Sequence, residues 1–204
     1  MKESATVLVK ANIFKAARYV LGLLFISLAV AHSAMAHSAM AQAAPLVVWG
    51  DSLSLGTGMA LEGLGRPVDN LGIKGWGLTH RNWQERVAQL QVASRTAAAV
   101  VIWVGTNDRP VADYGERLQA TRRAVGDRRL VWLLPPQGCF GRALPSATSL
   151  GALVRAAARS EDAVLTADTC DTALRAGDGV HYTAQGYRRI AERVVRAIDA
   201  ERGN

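Results

Sequence analysis

No stretch of this sequence is apolar for long enough to span a bilayer comfortably. The run Val20–Ala31 (VLGLLFISLAVA) comes nearest, and a spanning helix takes about 20 apolar residues. Its flanks point elsewhere. Lys2, Lys10, Lys15 and Arg18 precede it and small residues follow, which is the layout of a basic n-region, a short h-region and A-x-A cleavage sites in a secretory signal peptide. An uncleaved N-terminal anchor is the competing reading. No cysteine stands near the cleavage region, which argues against lipid anchoring. No twin-arginine pair precedes the run, which favours the general secretory route. A tandem HSAMA repeat at 32–36 and 37–41 blurs the cut, and cleavage after Ala36, Ala41 or Ala43 is chemically reasonable. The expected division is a signal peptide over residues 1–41 and a single domain over residues 45–204, in a periplasmic or secreted protein.

Lysine is nearly missing from that domain. Beyond residue 41 only Lys74 remains, and the basic excess is arginine. The full chain carries a formal charge of +7, but without residues 1–41 the balance is 20 basic against 16 acidic. Aromatic and basic residues are nowhere interleaved as a single-strand nucleic-acid binder requires. No nucleic-acid partner is therefore expected, and after signal cleavage no membrane contact is implied. Cysteine is scarce too. Cys139 and Cys170 are the only two, an even count that suggests a disulfide in an oxidising compartment, with two small buried thiols as the alternative.

What is present is a repeated alternation of apolar runs and helical stretches. PLVVWG (45–50), VDNLG (68–72), AAVVIWVG (98–105), RLVWLLPP (129–136) and DAVLTAD (162–168) read as strands. They are continuous runs, as expected when both faces of a parallel sheet are covered. Helical stretches fall at 79–94, 109–126, 145–160 and 183–201, with Ile190, Val194, Ala197 and Ile198 on one face of the last. Pro110 suits a first helical turn and Gly126 a helix end. The stretch after Ser52 also reads as helix, weakened by Gly56, Gly58 and Gly63. The pattern predicts an α/β fold, a three-layer sandwich around a five-stranded parallel sheet. In such sheets function gathers at the carboxyl ends of the strands.

Those ends carry chemistry. The first strand stops at Gly50-Asp51-Ser52, the second runs into Asn70 and a glycine-rich loop, and the third ends in Gly105-Thr106-Asn107-Asp108. The fifth leads past Cys170 to Asp178-Gly179-Val180-His181. A serine hydroxyl is a weak nucleophile until a base takes its proton. Past the leader only His80 and His181 are available. His181 has Asp178 three residues before it to hold Nδ1–H, leaving Nε2 for Ser52. His80 lacks such a neighbour and suits a surface or capping role. The Ser52 and Gly75 N–H groups and the Asn107 amide are candidate donors to a tetrahedral oxyanion. The nucleophile-elbow pattern G-x-S-x-G is absent around Ser52, which argues against a standard α/β-hydrolase.

Four blocks in this order, GDSLS at 50–54, the glycine after Asn70, GTND at 105–108 and DGVH at 178–181, resemble those of the SGNH (GDSL) hydrolase family, across nearly the whole chain past the leader. The resemblance implies Ser52 as nucleophile, His181 as base and then acid, Asp178 as its orienter, and Ser52, Gly75 and Asn107 as the oxyanion hole. Gly72, Gly75 and Gly77 compete for the second block; the family spacing of some five residues after the asparagine selects Gly75. Asp51 and Asp108 are expected to brace their loops. The resemblance also implies the flavodoxin-like strand order 2-1-3-4-5, which makes the fourth and fifth strands neighbours. A Cys139–Cys170 bridge beyond them would close a loop of about thirty residues, worth about 3–4 kcal/mol on the chain-entropy model.

Trp49, Trp103 and Trp132 lie within strands and read as core. Trp76 has two readings, lining a cleft or folded onto the core, and Arg109 likewise, meeting an anionic group or lying solvated. The implied activity is carboxylic ester hydrolysis through an acyl-enzyme by a monomer, with no metal or cofactor. Short connections leave no room for a large lid or acyl tunnel, which favours short acyl groups or a polymer in an open cleft. Candidate substrates are small acyl esters, lipids such as lysophospholipids, acyl thioesters and O-acetylated glycans. Acyl transfer to a sugar uses the same residues, and a non-catalytic module binding envelope glycans is the non-enzymatic alternative.

Overall fold

Residues 46–50, 99–103 and 130–134 are buried at every position, and this makes their sequences unbroken apolar runs. The computed structural model describes residues 44–136, 147–166 and 171–200. Its strands are β1 (Leu46–Gly50), β2 (Val68–Gly72), β3 (Ala99–Trp103), β4 (Leu130–Leu134) and β5 (Ala163–Thr166). Its helices are α1 (Ser52–Gly63), α2 (Trp83–Ser94), α3 (Tyr114–Val125), α4 (Ala147–Ala157) and α5 (Ala184–Asp199). The five strands form one parallel sheet in the order β2-β1-β3-β4-β5, as expected.

Alternate residues of each strand enter two cores. Val47, Trp49, Ile102 and Trp132 pack with Leu90 of α2, Leu118 of α3 and Leu150 of α4. Val48, Val101, Trp103 and Leu133 pack with Leu53 and Leu61 of α1 and with Ile190, Val194 and Ile198 of α5. The sheet thus has α1 and α5 on one face and α2, α3 and α4 on the other. Trp49, Trp103 and Trp132 are core residues, as their strand positions predict.

The register sets up the rim. Gly50 pairs with Gly72 on one side and Trp103 on the other, so three strands end level and their following loops leave the sheet together. Gly50 has φ +137°, and a Cβ there would lie 1.9 Å from the Trp103 carbonyl oxygen, so this position admits glycine alone. Helix α1 forms despite its glycines. Asp51 caps it, and a Cβ at Gly58 would collide with the Asn70 side chain, 2.2 Å away, so the missing side chain lets β2 and α1 close up.

Two boundaries differ from the sequence reading. Pro110 precedes α3 rather than sitting in its first turn, because the chain first makes a tight turn in which Tyr114 N–H donates to Val111 O at 3.1 Å. His80 lies ahead of Asn82, the residue that precedes α2. Gly126 ends α3 with φ +66°, as expected. Cys139, Cys170 and the expected leader over residues 1–41 lie outside the described residues.

Candidate active site

Ser52 is the first residue of α1, turned outward at the rim by Gly50 and Asp51. Its Oγ lies 2.8 Å from Nε2 of His181. Nδ1 of the same ring lies 2.6 Å from Oδ2 of Asp178. The other Asp178 oxygen, Oδ1, accepts the backbone N–H groups of Val180 and His181, both at 2.9 Å. The His181 side chain, followed by these two N–H donors, lowers the Asp178 pKa to about 2. An ionised carboxylate only accepts, so His181 Nδ1 carries a proton and Nε2 is left to accept the Ser52 hydroxyl. The loop bearing this pair is tied down by Ala176 N–H donating to His181 O at 2.9 Å and by Arg175 donating to Val180 O at 3.0 Å.

Three donors follow the carboxyl ends of β1, β2 and β3. The Ser52 N–H, at the N-terminus of α1, and the Gly75 N–H have no acceptor among the described residues. The Asn107 amide donates one hydrogen to Trp76 O at 2.9 Å, which fixes the side chain and leaves a second N–H. The competing glycines have other employment. Gly72 N–H bonds Asn70 Oδ1 at 3.3 Å, and a Cβ there would lie 2.4 Å from Leu55 N. A Cβ at Gly77 would lie 2.3 Å from Asp108 Oδ1. Gly75 has φ +74° and open space around it.

Asp51 and Asp108 lace these loops together. Asp51, fully buried, accepts Leu53 N–H at 2.8 Å and Thr106 N–H at 3.3 Å. Burial drives its pKa up to about 6. Asp108 accepts Thr79 N–H at 2.8 Å and Thr79 Oγ–H at 3.0 Å through one oxygen. Through the other it accepts Gly105 N–H at 3.0 Å and the Tyr114 hydroxyl at 2.9 Å. Both are braces, as expected, and the Tyr114 phenol is held un-ionised by its burial.

Trp76 settles onto the core. It is 3% exposed and meets Trp49 edge-on, with ring centroids 4.8 Å apart. His80 does more than sit at a surface. With Gly75, Gly77, Thr79, Asn107 and Arg109 it lines a hollow of about 260 Å³, and its Nδ1 lies 2.7 Å from Asn82 Oδ1. No local signal marks this placement, because it depends on the β2–α2 loop folding back over Trp76. A larger hollow, about 400 Å³, lies between the carboxyl ends of α2 and α3, away from the rim. Its arginines, Arg95, Arg123 and Arg128, stand where helix carbonyls are exposed and complement those dipoles.

The profile of the GDSL-like Lipase/Acylhydrolase family matches residues 48–189. The chain belongs to that family. Among curated proteins no sequence matches significantly. Solved structures resembling this GDSL fold include the C-terminal catalytic domain of Streptococcus pneumoniae peptidoglycan O-acetyltransferase A with a methylsulfonyl adduct. It is 16% identical, with a TM-score of 0.57 over 78% of this chain and 94% of that one. Another is the lipase Lip_vut3 from a goat rumen metagenome, 16% identical, with a TM-score of 0.51 over 75% of this chain and 96% of that one. At such identity the likeness is one of fold, and these GDSL neighbours share the flanked parallel sheet described above.

Proposed function

We propose that the protein is an exported serine hydrolase that cleaves carboxylic O-acyl esters through an acyl-enzyme. The observation that carries this is the hydrogen-bonded chain from Ser52 Oγ to His181 Nε2 at 2.8 Å and from His181 Nδ1 to Asp178 Oδ2 at 2.6 Å. In this reading Ser52 Oγ attacks the ester carbonyl carbon as Nε2 takes its proton. The oxyanion meets the Ser52 and Gly75 N–H groups and the Asn107 amide, donors already fixed in place. Collapse expels the alcohol, which receives the proton from His181. Water then attacks the acyl-enzyme with His181 as base, releasing the acid and restoring Ser52.

Short acyl groups suit the site best. The hollow beside Asn107 has no aliphatic or aromatic hydrocarbon side chain in its lining, and a long acyl chain gains affinity only by burying apolar surface. This favours small acyl esters or O-acetylated glycans over lysophospholipids and long acyl thioesters. The leader pattern supports export, and in that compartment we propose that Cys139 pairs with Cys170. A second reading, transfer of the acyl group from Ser52 to a sugar hydroxyl, is suggested by the O-acetyltransferase domain among the fold neighbours.

The test is a p-nitrophenyl ester series from acetate to decanoate, run beside Ser52→Ala. Turnover that needs Ser52 and peaks at short chains is expected. Activity retained by Ser52→Ala would overturn the nucleophile, and a peak at decanoate would overturn the short-acyl preference. Adding a sugar alcohol separates the readings: transfer diverts the acyl group to the alcohol, hydrolysis does not.

A further inference from the structure

His80 is held in one tautomer. Trp76 Nε1 only donates, so the Asn82 atom 3.0 Å from it is the amide oxygen. That same oxygen lies 2.7 Å from His80 Nδ1. In the neutral ring Nδ1 therefore carries the proton, and Nε2 presents a lone pair. The anchor is rigid, since Trp76 is buried against Trp49. His80 itself is exposed, on the wall of the hollow that also holds Asn107 and Arg109. Neither His80 Nε2 nor the Arg109 guanidinium has a partner among the described residues. One wall of the hollow thus offers a fixed acceptor and a cationic donor. A hydroxyl group complements both, donating to the nitrogen and accepting from the guanidinium.

The layers of the fold say which end of an ester this wall meets. His181 precedes α5, on the α1/α5 face, whereas every residue lining the hollow comes from the loops leading into α2 and α3 on the opposite face. The departing alcohol oxygen must lie against His181 to be protonated, and the oxyanion lies against Gly75 and Asn107, which line this hollow. The acyl substituent, on the same carbon and directed away from the departing alcohol, is the part of the ester that passes beside His80 and Arg109. We propose that His80 and Arg109 form an acyl-side specificity subsite that selects short acyl groups bearing a hydroxyl over plain alkyl groups of the same length. The proposal rests on the serine-hydrolase reading above.

The experiment compares kcat/KM for p-nitrophenyl 3-hydroxybutyrate and p-nitrophenyl butyrate, with the Ser52→Ala rate subtracted for each, in wild type, His80→Phe and His80→Gln. Wild type is expected to favour the hydroxy ester by about tenfold or more, the effect of one well-placed hydrogen bond. His80→Phe should bring the ratio near one, and His80→Gln, whose amide oxygen accepts, should keep part of the preference. Turnover of both esters at equal rates by wild type, or a preference that survives His80→Phe, overturns the subsite and leaves the serine-hydrolase reading standing. Failure of folded wild type to cleave either ester overturns that reading, and the subsite with it.

Discussion

The Asp51 carboxylate accepts the Thr106 N–H across 3.3 Å and 55 residues of sequence. That contact joins the loop bearing Ser52 to the loop bearing Asn107. It is made by a fully buried acid that also caps α1. Asp108 makes the matching link from the Asn107 loop to Thr79. The site is thus held from below by two carboxylates that never face substrate, and the relative position of nucleophile and amide depends on them.

Asp51 should leave a mark on stability. Burial raises its pKa from 3.8 to about 6, so the native state holds this proton at pH values where the unfolded chain has lost it. The stabilisation is complete below pH 4 and is lost as pH rises through 6, an effect on the order of 3 kcal/mol. Asp51→Asn removes the titration along with one acceptor, and the lost acceptor costs the same at every pH. Urea midpoints from pH 4.5 to 7.5 should therefore fall more steeply for wild type than for the variant. Parallel profiles would show that Asp51 does not titrate in this range.

Asn107→Ala removes an exposed amide whose one fixed bond is to Trp76 O. As an oxyanion donor it acts in the transition state more than in the ground state, so kcat should fall by about 10²–10³-fold with little change in KM. The melting temperature should move little. A change confined to KM would place the amide in ground-state binding instead.

The three competing glycines, Gly72 at the end of β2 and Gly75 and Gly77 in the β2–α2 loop, should separate by how they fail. Gly75→Ala meets no atom within 4 Å but must adopt φ +74°, a strain of about 1–2 kcal/mol. Gly77→Ala drives a Cβ to 2.3 Å from Asp108 Oδ1, and Gly72→Ala drives one to 2.4 Å from Leu55 N. The latter two should lose more melting temperature than Gly75→Ala. Disturbance of the Gly75 N–H should instead appear in kcat of a well-folded protein. Equal stability losses at all three positions would contradict this division.

The strands, the Asp178–His181 pair and its distant serine were readable because each rests on local pattern: buried runs, a three-residue spacing, a motif at a strand end. The strand order came only with the family resemblance that those motifs carry. Trp76 and His80 were not readable. Whether a loop tryptophan lines a cleft or packs on Trp49, and whether a histidine before a helix faces solvent or a pocket, depends on the path of the Gly75–Asn82 loop. That path is set by tertiary partners such as Asp108, which holds Thr79 from 29 residues further along the chain. Pro110 misled for a related reason: proline suits a first helical turn, but the Val111–Tyr114 turn delays the start of α3.

The cysteines give a chemical test of compartment and pairing together. In protein made by export and unfolded without reductant, no thiol should titrate at Cys139 or Cys170. The reduced protein should unfold about 3–4 kcal/mol more easily if the bridge closes a loop of about thirty residues. Two titratable thiols in the exported, unfolded protein would rule the bridge out.

Asp178→Asn tests what the carboxylate does for His181. The wild-type oxygen Oδ2 can only accept, which keeps the proton on Nδ1 and the lone pair of Nε2 aimed at Ser52. An asparagine that keeps its oxygen on the Val180 and His181 N–H groups turns its NH₂ toward Nδ1. The ring must then accept there and carry its proton on Nε2, the tautomer that cannot deprotonate serine. A loss in kcat on the order of 10⁴-fold is expected. The side chain of Asp178 is 52% exposed, so the fold should tolerate the change and melt near the wild-type temperature. A variant within tenfold of wild-type kcat would mean that another group orients His181.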